Sequence, residues 1–262
     1  MSVYAFSDTH GAYWVWEQIK SITKPRDRIY FLGDATDRGP DGWRIMKELL
    51  DDPRVIYLKG NHEDLMAKAL KNYNSKNQDD WSWSHEIELW YFNGGRPTHI
   101  QFLEDNIPEE EKIRYLNHIS NLPFCAIYPN EKGQDVLLCH AGCENMDASE
   151  SWEEKDFLWN RDHYLFNDTW EGGMDEVIVH GHTPIELMID DQSKYINEFI
   201  LNLQAHSRFD NIIEFPDEWS KKGAYWYAHN HKVNIDTGAV WNHTATLINL
   251  DTWEEIILNK NT

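Results

Sequence analysis

Three short apolar runs in the first 60 residues are separated by stretches whose apolar positions recur at helical spacing. The runs are Val3-Tyr4-Ala5-Phe6, Arg28-Ile29-Tyr30-Phe31-Leu32 and Val55-Ile56-Tyr57-Leu58, and they predict buried strands. Residues 13–22 and 42–50 between them predict helices, the second with Trp43, Met46, Leu49 and Leu50 on one face. Strand, helix, strand, helix, strand in that order predicts a parallel sheet with right-handed crossovers. Helices follow at 63–71, 86–92 and 108–121, the last opened by Glu109-Glu110-Glu111, acids that suit the positive end of a helix dipole. Beyond residue 122 the pattern turns to strands, at 124–128, 135–139, 176–179, 233–235, 244–250 and 254–258. Residues 250–254 are short enough for a hairpin turn.

Two stretches break this rhythm. Residues 74–82 are polar and read as a loop. The segment at about 186–232 reads as an insertion on the active-site side, with a helix at 195–203 and an aromatic, histidine-bearing stretch at 224–231. No repeat, low-complexity tract or Pro/Gly/Ser linker divides the chain, so one domain over residues 1–262 is expected.

The polar residues that interrupt the apolar runs carry the chemistry. Five blocks stand out: Asp8-Thr9-His10-Gly11, Gly33-Asp34-Ala35-Thr36-Asp37-Arg38-Gly39, Gly60-Asn61-His62-Glu63, His140-Ala141-Gly142 and His180-Gly181-His182-Thr183-Pro184. Each falls just after a predicted strand, the edge where open α/β sheets place their sites. Together they offer oxygen and imidazole ligands from separate Gly-flanked loops, which is what a two-metal hydrolytic site requires. A carboxylate placed as Asp34 is can bridge two cations through its two oxygens. Taken singly, each block has a plainer reading: Asn61 as a helix N-cap, Asp37-Arg38 as a surface ion pair, His140 and His182 as satisfied polar residues. His85, His99, His118, His163 and His206 lack such flanks and read as surface or packing residues. His229 and His231 are candidates for substrate contact. The Trp81-Ser82-Trp83 and Trp90-Tyr91 clusters read as core.

Composition narrows the class. Apolar residues are 41% of 262, enough for a sizeable core, and 13 Trp argue against a disordered chain. A net charge of −21, from 45 acidic and 24 basic residues, argues against nucleic-acid binding through phosphate neutralisation. No run approaches a membrane span, and the N-terminus passes straight into the first block without room for a signal peptide. A cytoplasmic location is expected. Cys125, Cys139 and Cys143 form no disulfide framework, and Cys139 reads as a small hydrophobe in a buried strand.

In these blocks and their order the chain resembles the calcineurin-like metallophosphoesterases, most closely the small bacterial and bacteriophage phosphoprotein phosphatases. The resemblance implies a four-layer α/β/β/α sandwich of two mixed sheets flanked by helices. It implies one metal on Asp8, His10 and Asp34, and a second on Asp34, Asn61, His140 and His182. It further implies His62 as general acid, Asp37 as its orienting carboxylate, and Arg38 and Arg161 (in Trp159-Asn160-Arg161) as phosphate clamps. Asn93-Gly94-Gly95 and Ile235-Asp236-Thr237-Gly238-Ala239 match scaffold near the site, and His180 is structural. Pro184 stands where nuclease-like relatives carry a further ligating histidine, which favours a phosphatase. The expected activity is hydrolysis of phosphate monoesters by a metal-activated hydroxide, serine/threonine protein phosphatase-like, with two Mn2+ as working metals and Fe, Zn, Ni or Co as alternatives. Symmetrical dinucleoside tetraphosphate hydrolysis is the second expectation, and a non-catalytic binding protein on this fold the third. The expected partners are a phosphoprotein or a small phosphate ester, with a monomer compatible.

Overall fold

Strand β1 (Val3–Phe6) sets the first layer of the fold, because its side chains alternate between two buried faces. Val3 and Ala5 point one way and Phe6 the other, so the strand is covered on both sides. The computed structural model describes residues 1–73, 84–143, 153–161, 170, 172–185 and 223–260. In it β1 pairs in parallel with β2 (Arg28–Phe31), and β2 with β3 (Val55–Tyr57). The crossovers are α1 (Tyr13–Ile22) and α2 (Gly42–Asp51), as their apolar spacing requires. At the other edge lie β9 (Thr244–Asn249), antiparallel to β1, and β10 (Glu255–Asn259), joined through the expected turn at 250–254. The sheet order is β10-β9-β1-β2-β3.

The second sheet contains β4 (Cys125–Pro129), β5 (Asp135–Cys139), β6 (Glu176–His180), β7 (Tyr225–Tyr227) and β8 (Lys232–Asn234), in the order β4-β5-β6-β8-β7. Strands β5, β6 and β8 run in parallel, with antiparallel partners at both edges. Val3, Ala5, Tyr30 and Leu32 of the first sheet meet Val136, Leu138, Val177 and Val179 of the second in one buried cluster. Outside the first sheet pack α1, α2, α3 (Asn61–Ala69), α4 (His85–Phe92), α5 (Arg96–Glu104) and α6 (Glu109–Ser120). Trp16, Met46, Met66, Trp90, Phe102 and Ile119 close over Phe6 and Phe31 there. Each such fully buried large side chain contributes roughly 1.5–3 kcal/mol over exposure. Outside the second sheet, α7 (Glu154–Trp159) sets Phe157 against Leu137, Cys139 and Ile178. The layers are therefore α/β/β/α, with two mixed sheets at the centre.

Several elements differ from the pattern. Helix α5 was hidden because its buried positions are Thr98, His99 and Phe102 while Ile100 and Leu103 stay exposed. In α2 it is Ile45, not Leu50, that joins Trp43, Met46 and Leu49 inside. Tyr225–Tyr227 is an edge strand of the second sheet, although three residues give periodicity no purchase. The expected loop at 74–82 and helix at 195–203 lie outside the described residues, as does 186–222 of the expected insertion. Among the described residues no helix is long and apolar enough to cross a membrane.

Candidate active site

The parallel strands of both sheets end on one edge, and the loops leaving that edge carry the polar blocks. Asp8 and His10 follow β1, Asp34 follows β2, Asn61 follows β3, His140 follows β5 and His182 follows β6. All six are buried. The loops turn abruptly: Asp8, His10, Asp34, Asp37, Arg38 and His182 all have φ between 42° and 72°. Left-handed backbone at non-glycine residues costs of order 1–3 kcal/mol each and persists only where the surroundings enforce it. Close approach is the second requirement. A methyl group at Gly181 would overlap the Asp8 carboxylate, and one at Gly60 the Asp34 carboxylate.

Asp34 is the centre of the arrangement. Its Oδ1 accepts the His62 backbone N–H at 3.0 Å. Its Oδ2 lies 3.5 Å from both His10 Nε2 and His140 Nε2. His10, Asp34 and His62 form one compact group of possible ligand atoms and Asp34, His140 and His182 another, so Asp34 belongs to both. His62 thus enters the first group by position, while Asp8 sits at its rim with Oδ1 4.0 Å from His10 Nε2. Asn61 completes the second group. Its Oδ1 is 2.8 Å from His140 Nε2 and 3.0 Å from His182 Nδ1.

These donors fit divalent cations. His140 Nδ1 faces the Leu32 carbonyl at 2.8 Å and His10 Nδ1 faces that of Thr36 at 3.0 Å, so each donates there and turns a lone pair inward from Nε2. At His140 that lone pair meets the Asn61 carbonyl oxygen, acceptor against acceptor, an arrangement a cation resolves. Protonation does not resolve it, because burial pushes His140 down to about 3. Burial also raises Asp8 and Asp34 well above the carboxylate range, reinforced by Asp236 for the first and by Asp8 for the second. Among the described residues Asp8 Oδ1 and His182 Nε2 are buried without a hydrogen-bond partner.

Beside these candidate ligands stands a buried histidine–carboxylate pair. His62 Nδ1 donates to Asp37 Oδ2 at 2.7 Å, both residues buried. Asp37 is therefore no surface ion-pair residue. Arg38 donates from Nη1 to His10 Nε2 and from Nη2 to His62 Nε2 at 3.0 Å, with its guanidinium under Trp241 at 4.8 Å. Arg161 donates to Thr183 Oγ1 at 3.1 Å, next to His182. The two arginines thus reach the two ends of the candidate ligand set.

The family model for calcineurin-like phosphoesterases matches residues 1–233. The chain belongs to that family. Its relatives include the asymmetrical bis(5'-nucleosyl)-tetraphosphatase PrpE of Oceanobacillus iheyensis, 24% identical, covering 71% of this chain and 78% of its own length. The symmetrical bis(5'-nucleosyl)-tetraphosphatase of Coxiella burnetii is 22% identical over 97% of this chain and 90% of its own length. Among solved structures, a candidate diadenosine tetraphosphatase superposes with a TM-score of 0.56 at 15% identity, covering 99% of this chain and 94% of its own, a likeness of fold. Membership makes this chain a phosphoesterase of the metal-dependent type, and its His/Asp clusters can hold the metals.

Some residues of this phosphoesterase site escaped the sequence. Glu63 is fully buried and accepts from the backbone N–H groups of Asp34, Ala35 and Gly60 and from the Tyr57 hydroxyl. Its place three residues after Gly60 is a capping position, the signal that was available. Gly60, not Asn61, is the N-cap of α3, which leaves the Asn61 amide free for the site. Trp90 donates to Asp37, which no local pattern foretold. Asp236, raised by burial to about 6, adds a further carboxylate beside Asp8. Other histidines are not brought here. His180 bonds Tyr227 and the Gly181 carbonyl, His231 stacks on Trp170, His229 is exposed on a turn, and His85 and His118 are exposed. His99 packs beneath Trp90, while His163, His206, Trp81 and Trp83 lie outside the described residues. Cys139 and Cys143 are buried in one cluster with Phe157 of α7.

Proposed function

We propose that this phosphoesterase hydrolyses phosphate monoesters with poor, alkoxide leaving groups, as phosphoserine and phosphothreonine have. Asp8, His10, Asp34, Asn61, His140 and His182 would hold two divalent cations. The mixed oxygen and imidazole donors suit Mn2+, with Fe, Zn, Ni or Co as alternatives. The chemistry such a pair supplies is Lewis-acid stabilisation of phosphate oxygens and a lowered pKa for water. Arg38 and Arg161 would bind the remaining phosphate oxygens, for which planar guanidinium forks are suited. His62 Nε2 accepts from Arg38 in this structure; with Arg38 turned to the phosphate and a second proton taken from water at Nε2, His62 would hand that proton to the departing alkoxide, while Asp37 keeps its ring oriented through Nδ1.

The observation that supports this reading is the buried Asp37–His62 pair at 2.7 Å. An alkoxide departs slowly without a proton, and a positioned acid contributes on the order of 100- to 10,000-fold. A polyphosphate departs readily without one. The second reading, dinucleoside tetraphosphate hydrolysis, is favoured by the names of the two curated relatives. A panel with Mn2+ separates them, comparing a phosphoserine peptide, a simple alkyl phosphate and diadenosine tetraphosphate. The first reading expects the highest kcat/KM on the monoesters. The reverse order would install the second, and turnover of none by metal-loaded protein would make the chain a binding protein.

A further inference from the structure

Trp90 lies on α4, fully buried, 53 residues from Asp37 in sequence. Its indole Nε1 is 3.0 Å from Asp37 Oδ1 and 2.9 Å from Oδ2, so one N–H spans both carboxylate oxygens. Oδ2 is also the oxygen that accepts His62 Nδ1–H. An indole N–H is a donor only and does not ionise, so it supports Asp37 solely as an acceptor. Spanning both oxygens also opposes rotation of the carboxylate away from His62. Two neighbouring contacts fix the backbone that carries it: the Asp37 N–H donates to Thr98 Oγ1 at 2.7 Å, and the Arg38 N–H to the Gly94 carbonyl at 2.9 Å. All three partners come from α4, α5 and the Asn93-Gly94-Gly95 turn between them. At Gly95 any side chain would collide with the Trp90 ring, which ties that turn to the indole.

From this geometry we infer that Trp90 is a positioning residue for proton donation, holding Asp37 so that Asp37 holds His62. The inference rests on the reading of His62 as general acid. The indole N–H has as its partner the carboxylate that itself holds His62. A buried carboxylate stripped of a donor is also free to reorient, and misplacement by an ångström costs a catalytic step on the order of 100-fold.

The test replaces Trp90 by 3-benzothienylalanine, which keeps the ring shape and exchanges the N–H for sulfur, alongside Trp90→Phe. Metal content and melting temperature are measured with kcat and KM for p-nitrophenyl phosphate and an alkyl phosphate. The expected result is a loss of kcat of about 10- to 100-fold on the alkyl phosphate and less than about threefold on the nitrophenyl ester. KM and metal content should stay unchanged. Equal losses on both esters, or none on either, would overturn the inference. The 15N shifts of the His62 ring give a readout independent of turnover. The parent should show one ring environment that keeps its Nδ1 proton on Asp37, and the benzothienyl variant a mixture of environments; an unchanged spectrum would count against the role. His62→Asn in the same assay separates the two layers. If it shows the leaving-group selectivity and the Trp90 variants do not, the assignment of Trp90 alone fails; if it shows none, the general-acid reading fails and takes this inference with it.

Discussion

Glu63→Gln tests how the strained centre of the site is held. The Glu63 carboxylate accepts four bonds: Oε2 from the Asp34 and Gly60 N–H groups at 2.8 and 3.0 Å, Oε1 from the Ala35 N–H and the Tyr57 hydroxyl, each at 2.9 Å. Every partner is a donor and the side chain is fully buried. Gln can present one oxygen, so its NH2 must face two of the donors, and two bonds are lost. Bonds to a charged acceptor are worth ~1.5–3 kcal/mol each, giving a loss of ~3–6 kcal/mol. That is a large share of a typical total of about 5–15 kcal/mol. At about 2–4 °C per kcal/mol for a chain of this size, the melting temperature should fall by roughly 6–24 °C. The same bonds hold Asp34 at φ 64°, so Mn2+ affinity should fall about 10- to 100-fold, as when a support behind a metal ligand is removed. Thermal unfolding with and without Mn2+, together with calorimetric titration, measures both. Tyr57→Phe, which removes one donor and leaves the carboxylate, should cost less than Glu63→Gln. A melting temperature within about 2 °C of the parent and an affinity within about twofold would refute the reasoning.

Asp34→Asn should abolish binding of both metals, because Oδ2 is the atom shared by the His10 and His140 sides; elemental analysis showing one retained equivalent would contradict the sharing. Arg161→Lys replaces a planar fork by a point charge and should raise KM for phosphate esters by about 10-fold or more, since charge-assisted bonds carry ~1.5–3 kcal/mol; an unchanged KM would remove Arg161 from phosphate binding. Metal-free protein should lose stability as the pH falls from about 6.5 towards 5. Burial lowers His10, His62, His182, His99 (to about 4) and His140 (to about 3), so in this window the unfolded chain takes up five protons that the folded state refuses, while Asp8, Asp34 and Asp236 (the last to about 6), raised by burial, oppose the loss with at most three. A metal-free melting temperature that rises as the pH falls over this range would contradict that balance.

The sequence alone was enough to predict most of the elements and to single out the candidate ligands. Buried parallel strands are continuous apolar runs, and a polar residue that ends such a run next to glycine marks the strand end. Asp8, Asp34, Asn61, His140 and His182 were legible in that way, each from its own few neighbours. Elements without an apolar stripe were not legible. Helix α5 buries a threonine and a histidine, and β7 is too short for a period. Tertiary structure alone decided which residues meet. Which oxygen of Asp34 serves both groups, that Glu63 holds Asp34 from behind, and that Trp90 reaches Asp37 across 53 residues are consequences of two sheets and the helices on them packing together. Local pattern is set by burial of one segment's own face. A bond between distant residues is set by the docking of many faces at once, and no single stretch of sequence carries it.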